Sequence, residues 1–491
     1  MGRLLTILQP PSGGGGTPSD DIEINGETLS VDGATYTFDT TGYDRGKLLA
    51  PLIVAAGTDN VTIQGSTSDA DDTIIYADFA AADGPAMIDV RGQYPGGSSL
   101  TTIAVAVEPQ HTTITVTDGS SLPSGEAYYC IRQYNDTAFF ANELDLPDGT
   151  GYNTSGNRGS GNTPYIRNVF VKQTSRSGNV ITLEEPVGMR FGTGATTEIK
   201  RITTPCIGIT IQNLTLDYYP GPSERGDPDP LDYTNAFPDY LVSLIKATGA
   251  VGLVVKNVKL LRAGQQAILL DGCYKPVIGE DDGQFKIRCE GAWNKGEGGN
   301  GYFEISRTYW GEFYGIYARG MRHVTFQWSS YGNFMKGLDC DCDLNWHGGG
   351  SGGMIGGGNV GGLSVGLGNV VWNANIVLRV GHTPGYGVVS RTPDSATFAP
   401  PDFMGANRVY SDAGTTEIYP ENWRAFASID VEAGSIQYFS MTNVNWGSYN
   451  RSLNAGVITI LRESVGASMR LLFKGTALSN AEFTLQFTST D

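Results

Sequence analysis

The sequence is poor in positive charge, in long hydrophobic runs and in cysteine, and each shortage excludes a class of protein. Lys and Arg number 33 against 51 Asp and Glu, which gives a formal net charge of −18. Such a chain is a poor partner for duplex nucleic acid or for an anionic membrane. No hydrophobic stretch approaches the length of a membrane span. The six cysteines have neither the density of a disulfide framework nor the spacing of a zinc site, so we expect buried free thiols.

Charged residues of either sign make up only 17% of the chain, whereas glycine occupies 67 of 491 positions, roughly twice its usual share. Residues that favour helices are correspondingly scarce, so the composition predicts an all-β protein. The apolar segment Leu4–Leu8 after Arg3 is too short for the core of a signal peptide. We therefore expect neither conventional secretion nor membrane insertion.

A short apolar strand followed by a small or Asn-like bend recurs along the chain. After Asn213 and after Asn257 the apolar alternation resumes in the same way, and Asn and Gly tolerate the left-handed backbone that such a bend needs. From Ile209 onward the strand starts are 44, 71 and 46 residues apart, which we interpret as two, three and two repeats of roughly 22–24 residues. The strands begin at Val61, Ile209, Leu253, Val324 and Val370.

A second series of strands gives the same repeat. Its spacings are 48, 22 and 50 residues, or two, one and two repeats. Both series therefore predict a β-solenoid in which one repeat is one coil. The members of the second series are Ile268–Asp271, Ile316–Arg319, Leu338–Asp341 and Val388–Arg391.

These repeats resemble the right-handed parallel β-helices of the pectate-lyase-like superfamily, the fold of many bacteriophage tailspikes and polysaccharide-degrading enzymes. The resemblance covers about residues 50–395. Residues 101–200 interrupt it, and strand-like segments at 112–125 and 178–186 resemble the small β insertion that some members place after the first coil. From about residue 406, short strands at turn-punctuated intervals predict a C-terminal β-sandwich-like domain.

The predicted organisation has five parts. Loops at 146–164, 218–240 and 391–405 are rich in Pro, Gly and Asp, and we expect them to stand out from the solenoid and wall a groove. The five parts are an N-terminal attachment peg with a Gly/Pro linker (1–21), the start of the β-helix (22–100), the β insertion (101–200), the main parallel β-helix (201–405) and the C-terminal β domain (406–491).

Equivalent positions on successive coils of a parallel solenoid stack about 4.8 Å apart, so the second series predicts one surface column of charged residues. That column contains Asp271, Arg319, Asp341 and Arg391. Arg319 and Asp341 are one predicted coil apart, with Asp339 and Asp343 flanking Asp341. Outward carboxylates on one strand lie about 6.5–7 Å apart, the short end of the spacing in inverting glycosidases. Asp339, Asp341, Asp343 and Arg319 are therefore the candidate catalytic residues.

Aromatic residues cluster at 293–334 and supply flat rings that bind the apolar faces of sugars. The candidate substrate-binding residues are Tyr317, Trp346, His347 and Trp310. Two other readings of the aspartates stay open. They form a solvated ladder neutralised by Arg, or they bind calcium, the less favoured alternative. We expect no other cofactor or metal.

The resemblance implies a phage virion spike that binds host cell-surface polysaccharide, with hydrolysis of that polysaccharide left open and lyase chemistry less favoured. It also implies a homotrimer. The N-terminal linker suits a short peg that docks onto a phage tail or capsid protein, and the expected lack of a signal peptide agrees with assembly in the host cytoplasm. The alternatives are a free bacterial polysaccharide lyase or hydrolase, and a non-enzymatic adhesin whose C-terminal domain contacts the receptor.

Overall fold

In a computed structural model of the protein, the chain divides into two compact units. The first unit comprises Met1–Tyr94, Thr203–Val324 and Asp339–Cys342, and the second comprises Pro95–Ile202, Thr325–Leu338 and Asp343–Asp491. The structure describes residues 4–7, 21–108, 111–134, 167–187, 191–218, 241–293, 301–327, 330 and 332–347 and the strands at 370–379, 408–410, 417–419, 428–429, 438–440, 457–460, 470–472 and 484–487, with the backbone alone described at 4–7, 167, 327, 336, 339–347 and these last strands.

The N-terminal part of the first unit is built from short parallel strands in which buried and partly exposed residues alternate. In the strand Thr35–Phe38, for example, Tyr36 and Phe38 are buried and the two threonines are partly exposed. This period-2 alternation directs one side chain in two into the solenoid core. The strands are β1 (Leu4–Ile7), β2 (Ile22–Ile24), β3 (Thr28–Leu29), β4 (Thr35–Phe38), β5 (Gly46–Leu48), β6 (Leu52–Val54), β7 (Thr62–Gly65), β8 (Ile74–Ala77) and β9 (Ala86–Arg91).

The predicted insertion is an antiparallel sheet of six strands in the second unit. It has buried side chains of its own, among them Tyr129, Ile131, Val171 and Ile199. The insertion follows β9 and therefore comes after nine strands, three in each column, which make three coils, whereas we expected it after the first coil. Its strands are β10 (Ser99–Thr101), β11 (Thr113–Thr115), β12 (Ala127–Gln133), β13 (Arg167–Ser177), β14 (Val180–Leu183) and β15 (Thr197–Ile202).

After the insertion the parallel solenoid resumes, because β17 pairs in parallel with β7 and β8 from before it. The strands are β16 (Cys206–Ile207), β17 (Thr210–Asp217), β18 (Ser243–Thr248), β19 (Ala250–Val251), β20 (Val254–Ala263), β21 (Gln266–Asp271), β22 (Val277–Ile278), β23 (Ile287–Ala292), β24 (Tyr302–Ser306), β25 (Glu312–Arg319), β26 (His323–Gln327) and β27 (Phe334–His347).

The strands described toward the C-terminus also pair in parallel. The sandwich-like C-terminal domain stays a prediction. In the part of the chain that the structure describes, the helices are two short 3-10 helices, Ala70–Asp72 and Gly194–Thr196, and no helix is long and apolar enough to cross a membrane. The last strands are β28 (Val370–Arg379), β29 (Arg408–Tyr410), β30 (Glu417–Tyr419), β31 (Ser428–Ile429), β32 (Tyr438–Ser440), β33 (Val457–Ile460), β34 (Arg470–Leu472) and β35 (Thr484–Phe487).

Three columns of stacked strands form the solenoid, which confirms an all-β chain built on a parallel β-helix. The first column is β2, β5, β8, β17, β20, β23 and β25, the second is β3, β6, β9, β18, β21 and β24, and the third is β1, β4, β7, β17, β20, β22 and β25. The strands β17, β20 and β25 bend and thus belong to two columns. Inside the third column, Ile63, Ile211, Val255, Ile278 and Phe313 stack in register and are fully buried.

One corner of the solenoid is a column of residues with left-handed backbone. Six successive coils place a residue with positive φ here, and each of the first five donates its backbone N–H to the carbonyl of the residue that precedes the next. Glycine or asparagine is expected at such a position, since other residues adopt it at a cost. The six residues are Gly33, Asn60, Gly208, Gly252, Lys275 and Trp310.

The pairing corrects part of the predicted repeat. Thr62, Thr210 and Val254 lie in register, which confirms that the strands beginning at Val61, Ile209 and Leu253 share one column. The chain from Thr210 to Val254 forms one coil and not two, because a long connection from Asp217 to Ser243 lies within it. Other coils are much shorter, as the pairing of Ile22 with Gly46 shows, and their lengths differ from one another.

Two further assignments were wrong. Val324 lies on β26, which pairs with β24 next to the second column, so it does not continue the Val61 series. Ile268–Asp271 lies on β21 in the second column, whereas Ile316–Arg319 lies on β25 in the first. Val388–Arg391 and the three predicted long loops, apart from Tyr218 at the start of one, lie outside the described residues.

The N-terminal strand differs in position from the expected peg. Leu4–Ile7 of β1 pairs in parallel with Thr35–Phe38 of β4 and so extends the third column by one strand. The linker that follows it lies outside the described residues up to Asp21. An attachment role for this end of the chain stays a prediction.

Candidate functional site

The candidate site is built around Tyr317 and Arg319 on β25. In this strand Phe313, Ile316 and Ala318 are buried in the core, and Tyr317 and Arg319 are partly exposed between and beyond them. The alternation resumes after Gly315, whose φ of 54° places a left-handed bend in the strand. Tyr317 therefore faces outward in the first column, in register with Arg288 of β23.

Two guanidinium groups lie against the Tyr317 ring. The Cζ atom of Arg319 is 4.3 Å from the ring centroid, and the Cζ atom of Arg288 is 4.7 Å from it. Both distances are within the range of a cation–π interaction. The ring of Phe285 lies with its centroid 6.5 Å from that of Tyr317, at an interplanar angle of 65°. We call Phe285, Arg288, Tyr317 and Arg319 the aromatic–guanidinium patch.

Carboxylates and a lysine surround this patch on the same column. Arg288 Nε donates a hydrogen bond of 2.9 Å to Glu290 Oε1, and their side chains are 40% and 39% exposed. Glu290 lies in register with Arg319, and Lys259 of β20 lies in register with Arg288. Lys259 Nζ forms an ion pair with both carboxylate oxygens of Asp71. The outward side of the first column thus carries charges of both signs, with the aromatic ring among them.

Ion pairs hold the loop that presents Phe285. Lys286 Nζ contacts Glu280 Oε2 at 2.8 Å and Asp282 Oδ2 at 2.5 Å, and these partners raise the pKa of Lys286. The hydrogen bonds from Lys286 and from the Gln284 backbone N–H hold the pKa of Asp282 below its usual value. The Glu280–Gly283 segment, which we interpret as a turn, has Gly283 in the left-handed region. Phe285 follows this turn and is 43% exposed.

A second tyrosine on β25 lies near the same loop. Tyr314 donates a hydrogen bond of 2.8 Å from its hydroxyl to Glu312 Oε2. Burial, and then this hydrogen bond, raise the pKa of Tyr314 to about 12. Tyr314 is therefore a neutral hydrogen-bond donor at ordinary pH and no source of a phenolate.

The strand that carries the predicted carboxylates pairs with the strand of Tyr317 and Arg319. β25 pairs with β27, and Asp339–Cys342 of β27 belong to the same compact unit as β25. Gly315 and Gly337 both have left-handed backbone, and Gly315 precedes Arg319 by as many positions as Gly337 precedes Asp341. The side chains of Asp339, Asp341, Asp343, Trp346 and His347 lie outside the described residues. Their arrangement stays a prediction.

The other two members of the predicted charged column, Asp271 and Arg391, do not join the patch: Asp271 lies in the second column of strands, and Arg391 lies outside the described residues. Asp271 pairs in register with Thr248 and Ser306 in the second column, and its carboxylate receives Arg307 Nε at 2.5 Å and Nη2 at 2.7 Å. It is therefore not a neighbour of Arg319 in the strand register, because the chain between Asp271 and Arg319 does not make whole coils of one column.

Trp310 occupies a different place from the rest of the predicted site. Its φ of 59° makes it the last member of the left-handed corner column, which precedes the third column of strands. Tyr317 lies beyond the Gly315 bend, in the first column. A bulky residue in this backbone region is a genuine outlier. A role for Trp310 in binding stays a prediction.

Sequence reasoning missed Phe285, Arg288 and Glu290. A signal was present: Arg288-Cys289-Glu290 and Tyr317-Ala318-Arg319 share a pattern of polar, small and polar residues, and they lie in register. A search confined to a repeat of roughly 22–24 residues cannot find this match, because the coil from Arg288 to Tyr317 is longer than that repeat. Among the described residues, no group of three or more His, Cys, Asp or Glu side chains is placed to hold a metal ion. The side chains of the three β27 aspartates lie outside the described residues, so this statement does not cover them.

Comparisons with known proteins give structural matches alone. No family model matches the sequence. No curated protein matches it significantly.

Three solved tailspikes are similar at low identity. The gp61 tailspike of Pseudomonas phage phi297 is 13% identical with a TM-score of 0.39, and the match covers 88% of this chain and 65% of that one. The gp54 tailspike of Acinetobacter baumannii bacteriophage AP22, in complex with A. baumannii capsular saccharide, is 12% identical with a TM-score of 0.39, over 92% and 74%. The gp49 tailspike of Pseudomonas phage LKA1 is 11% identical with a TM-score of 0.35, over 94% and 70%. This chain thus spans just under two thirds of the first of these proteins.

Proposed function

We propose that this chain is a bacteriophage virion spike that binds host cell-surface polysaccharide along the flank of its solenoid. The observation that carries the proposal is the aromatic–guanidinium patch, in which the exposed ring of Phe285 and the Arg288 and Arg319 guanidinium groups surround Tyr317. Flat rings bind the apolar faces of sugars, and guanidinium groups donate hydrogen bonds to sugar oxygens.

The fold suits a polymeric ligand. Rows of side chains repeat about 4.8 Å apart along a parallel solenoid, on a backbone held by hydrogen bonds between coils. Lys259, Arg288 and Tyr317 follow one another in register on three successive coils. A linear polysaccharide laid along this column would meet several such side chains without any rearrangement of the backbone.

The test is binding of the purified chain to polysaccharides extracted from bacterial surfaces, followed by size analysis of the polysaccharide. We expect the wild-type protein to bind at least one capsule or O-antigen, and Tyr317→Ala to weaken that binding. Full binding by the Tyr317→Ala variant would place the receptor contact elsewhere and favour an adhesin that acts through its C-terminal domain. Shortened products with the ultraviolet absorbance of an unsaturated sugar would favour a lyase.

Hydrolysis of the bound polysaccharide is the second candidate activity, favoured by the pairing of β25 with β27. In this mechanism one of Asp339, Asp341 and Asp343 protonates the leaving oxygen while another activates water. Arg319 would hold the sugar or balance the carboxylate charge. Tyr317, Trp346 and His347 would position the sugar ring.

We predict that Asp341→Asn abolishes depolymerisation while leaving the folded assembly intact, because an amide can neither protonate the leaving group nor accept a proton from water. Size analysis of the polysaccharide measures the activity, and a thermal melt of the variant is the control. Depolymerisation at the wild-type rate by Asp341→Asn would reject this site.

Attachment and assembly complete the proposal. We propose that the N-terminal segment docks onto a phage tail or capsid protein and that three chains associate in the virion after assembly in the host cytoplasm. Sedimentation of the purified chain measures the number of subunits. A monomer at micromolar concentration would reject the trimer without bearing on polysaccharide binding.

A further inference from the structure

We infer that the aromatic–guanidinium patch recognises an acidic sugar, in which the ring lies on Phe285 and a carboxylate binds Arg288. This inference rests on the proposed function, since it names the class of polysaccharide that the same site takes. It is carried by four described side chains in the first unit and requires no residue of β27.

The position of the arginines on an acidic protein is the first reason. The chain has a formal net charge of −18, so an anionic polymer is repelled by the protein as a whole. Screening limits that repulsion to about 8 Å at physiological ionic strength, and the local charge therefore decides binding. Arg288, Arg319 and Lys259 lie on adjacent coils of one column. Glu290 and Asp71 offset two of these three cations, so one positive charge remains in excess among the five groups.

The hydrogen bonding of Arg288 is the second reason. Its Nε atom donates to Glu290, and among the described residues no hydrogen bond is made by its two terminal nitrogens. A guanidinium has five N–H donors, so four remain to bind a carboxylate in the paired geometry that this group favours. The hydrogen bond to Glu290 orients the guanidinium, and the Arg288 side chain is 40% exposed.

The exposed phenyl ring is the third reason. Phe285 is one of few large apolar side chains exposed on the described surface, and its loop is held by the ion pairs of Lys286. Its centroid lies 6.5 Å from that of Tyr317, whose ring in turn contacts Arg288. One sugar residue can therefore place its apolar face on Phe285 and its charged substituent at Arg288. Neither a neutral glycan nor a simple anion would use both groups.

An array of bacterial capsular polysaccharides and O-antigens tests the inference, with each acidic member printed in its native form and after reduction of its carboxyl groups to alcohols. We expect the wild-type protein to bind one or more native acidic members and to lose at least about tenfold in affinity for the reduced form, the effect of one charge-assisted hydrogen-bonded pair. Arg288→Gln should weaken binding to the native form by a similar factor and should weaken binding to the reduced form much less.

Phe285→Ala and Arg91→Gln complete the design. Phe285→Ala should weaken binding to both forms equally, because the apolar contact does not depend on the carboxylate. Arg91→Gln is the matched control, since Arg91 forms the same type of pair with the nearby carboxylate of Asp89, at 2.7 Å, and is 48% exposed on another strand. It should bind as the wild type does, and a thermal melt reports whether each variant is folded.

The outcomes separate the inference from the proposed function. Binding to neutral members, or equal binding to native and reduced forms, would overturn the acidic-sugar inference and leave polysaccharide binding standing. An equal loss for both forms in Arg288→Gln would also overturn it, because Arg288 would then not read the carboxylate. No binding to any member by the folded wild-type protein would overturn the proposed function and the inference with it.

Discussion

At the scale of single residues, left-handed backbone marks where the solenoid turns. The corner column holds glycine or asparagine in its first four coils, and Lys275 and Trp310 in the last two. Residues other than glycine adopt the left-handed region at a cost of about 1–2 kcal/mol, and Asn is among the least penalised of them. The two exceptions therefore store strain that the hydrogen bonds between coils overcome.

Lys275→Gly tests this strain. We expect the free energy of unfolding to rise by roughly 1 kcal/mol, since the relief of the left-handed backbone exceeds the extra entropy of glycine in the unfolded chain. Chemical denaturation measures the change. Lys246→Gly is the control, because Lys246 lies within strand β18 and the same substitution there should destabilise the protein. Destabilisation of similar size in both variants would contradict the strain argument.

Buried thiols give a prediction on pH. Burial raises the pKa of Cys206 to about 11 and that of Cys273 to about 12. The folded state therefore holds these protons more tightly than the unfolded state, where a thiol titrates near 9. Their contribution to stability is complete below pH 9 and is lost as the pH rises toward 11 and 12.

We accordingly expect Cys206 and Cys273 to resist iodoacetamide at about pH 8 in the folded protein and to react after denaturation. Mass spectrometry of the peptides measures this residue by residue. In denaturation between about pH 8 and pH 11, the wild type should lose stability faster with pH than Cys273→Ala does. Rapid alkylation of Cys273 in the folded protein would show that it is accessible.

At the scale of elements, strand β25 joins the core to the candidate site. It spans the third and first columns and bends at Gly315, so that Phe313 and Ile316 fill the core while Tyr317 and Arg319 face outward. A Cβ atom on Gly315 would lie 1.9 Å from the carbonyl oxygen of Gln284. The bend therefore also sets the position of the loop that carries Phe285.

Gly315→Ala is expected to lower the free energy of unfolding by more than about 2 kcal/mol, because the methyl group both clashes with backbone and occupies a left-handed position. It should also weaken polysaccharide binding, since the Gln284–Phe285 backbone must move. Gly283→Ala is the matched control: Gly283 has φ of 74° on the same loop, but nothing lies within 4 Å of its added Cβ. Its cost should stay near about 1 kcal/mol. Equal costs for the two variants, measured by denaturation, would contradict the steric account.

At the scale of the molecule, the chain leaves and re-enters the solenoid at one place. Gln93 N donates a hydrogen bond of 2.9 Å to Thr204 O, and Thr203 N donates one of 2.7 Å to Gln93 Oε1. The second unit's segment Pro95–Ile202 is thus inserted between two residues whose backbones already touch. Insertions with adjacent ends are tolerated because they leave the host hydrogen bonds intact.

Replacement of residues 95–202 by a short Gly-Ser linker should leave a folded solenoid that keeps its β-type circular dichroism and unfolds cooperatively. Polysaccharide binding should be unchanged, because the aromatic–guanidinium patch lies wholly in the first unit. Refolding should be faster, since the pairing of Thr62 with Thr210 then closes a much shorter loop. An aggregated or unstructured product would show that the solenoid depends on the insertion.

Part of this site was predictable from sequence. Tyr317 and Arg319 could be placed outward on one strand from period-2 alternation, and the match between Ile316–Arg319 and Leu338–Asp341 predicted the pairing of β25 with β27. Arg288 and Phe285 could not be found in this way, because the coil that separates Arg288 from Tyr317 is longer than the repeat that the sequence predicts. Alternation is a local property of a strand, whereas the neighbour across a coil depends on every residue in the connection between them.

The amino-acid sequence by itself determined that the chain is acidic, rich in glycine, all-β and built from stacked coils, since composition and alternation act through local backbone preference and burial. The tertiary structure alone decided which coils touch. Thr210 pairs with Thr62 from before the inserted sheet and with Val254 beyond the long connection, because hydrogen bonding between strands depends on where the backbone arrives and not on how much chain lies between.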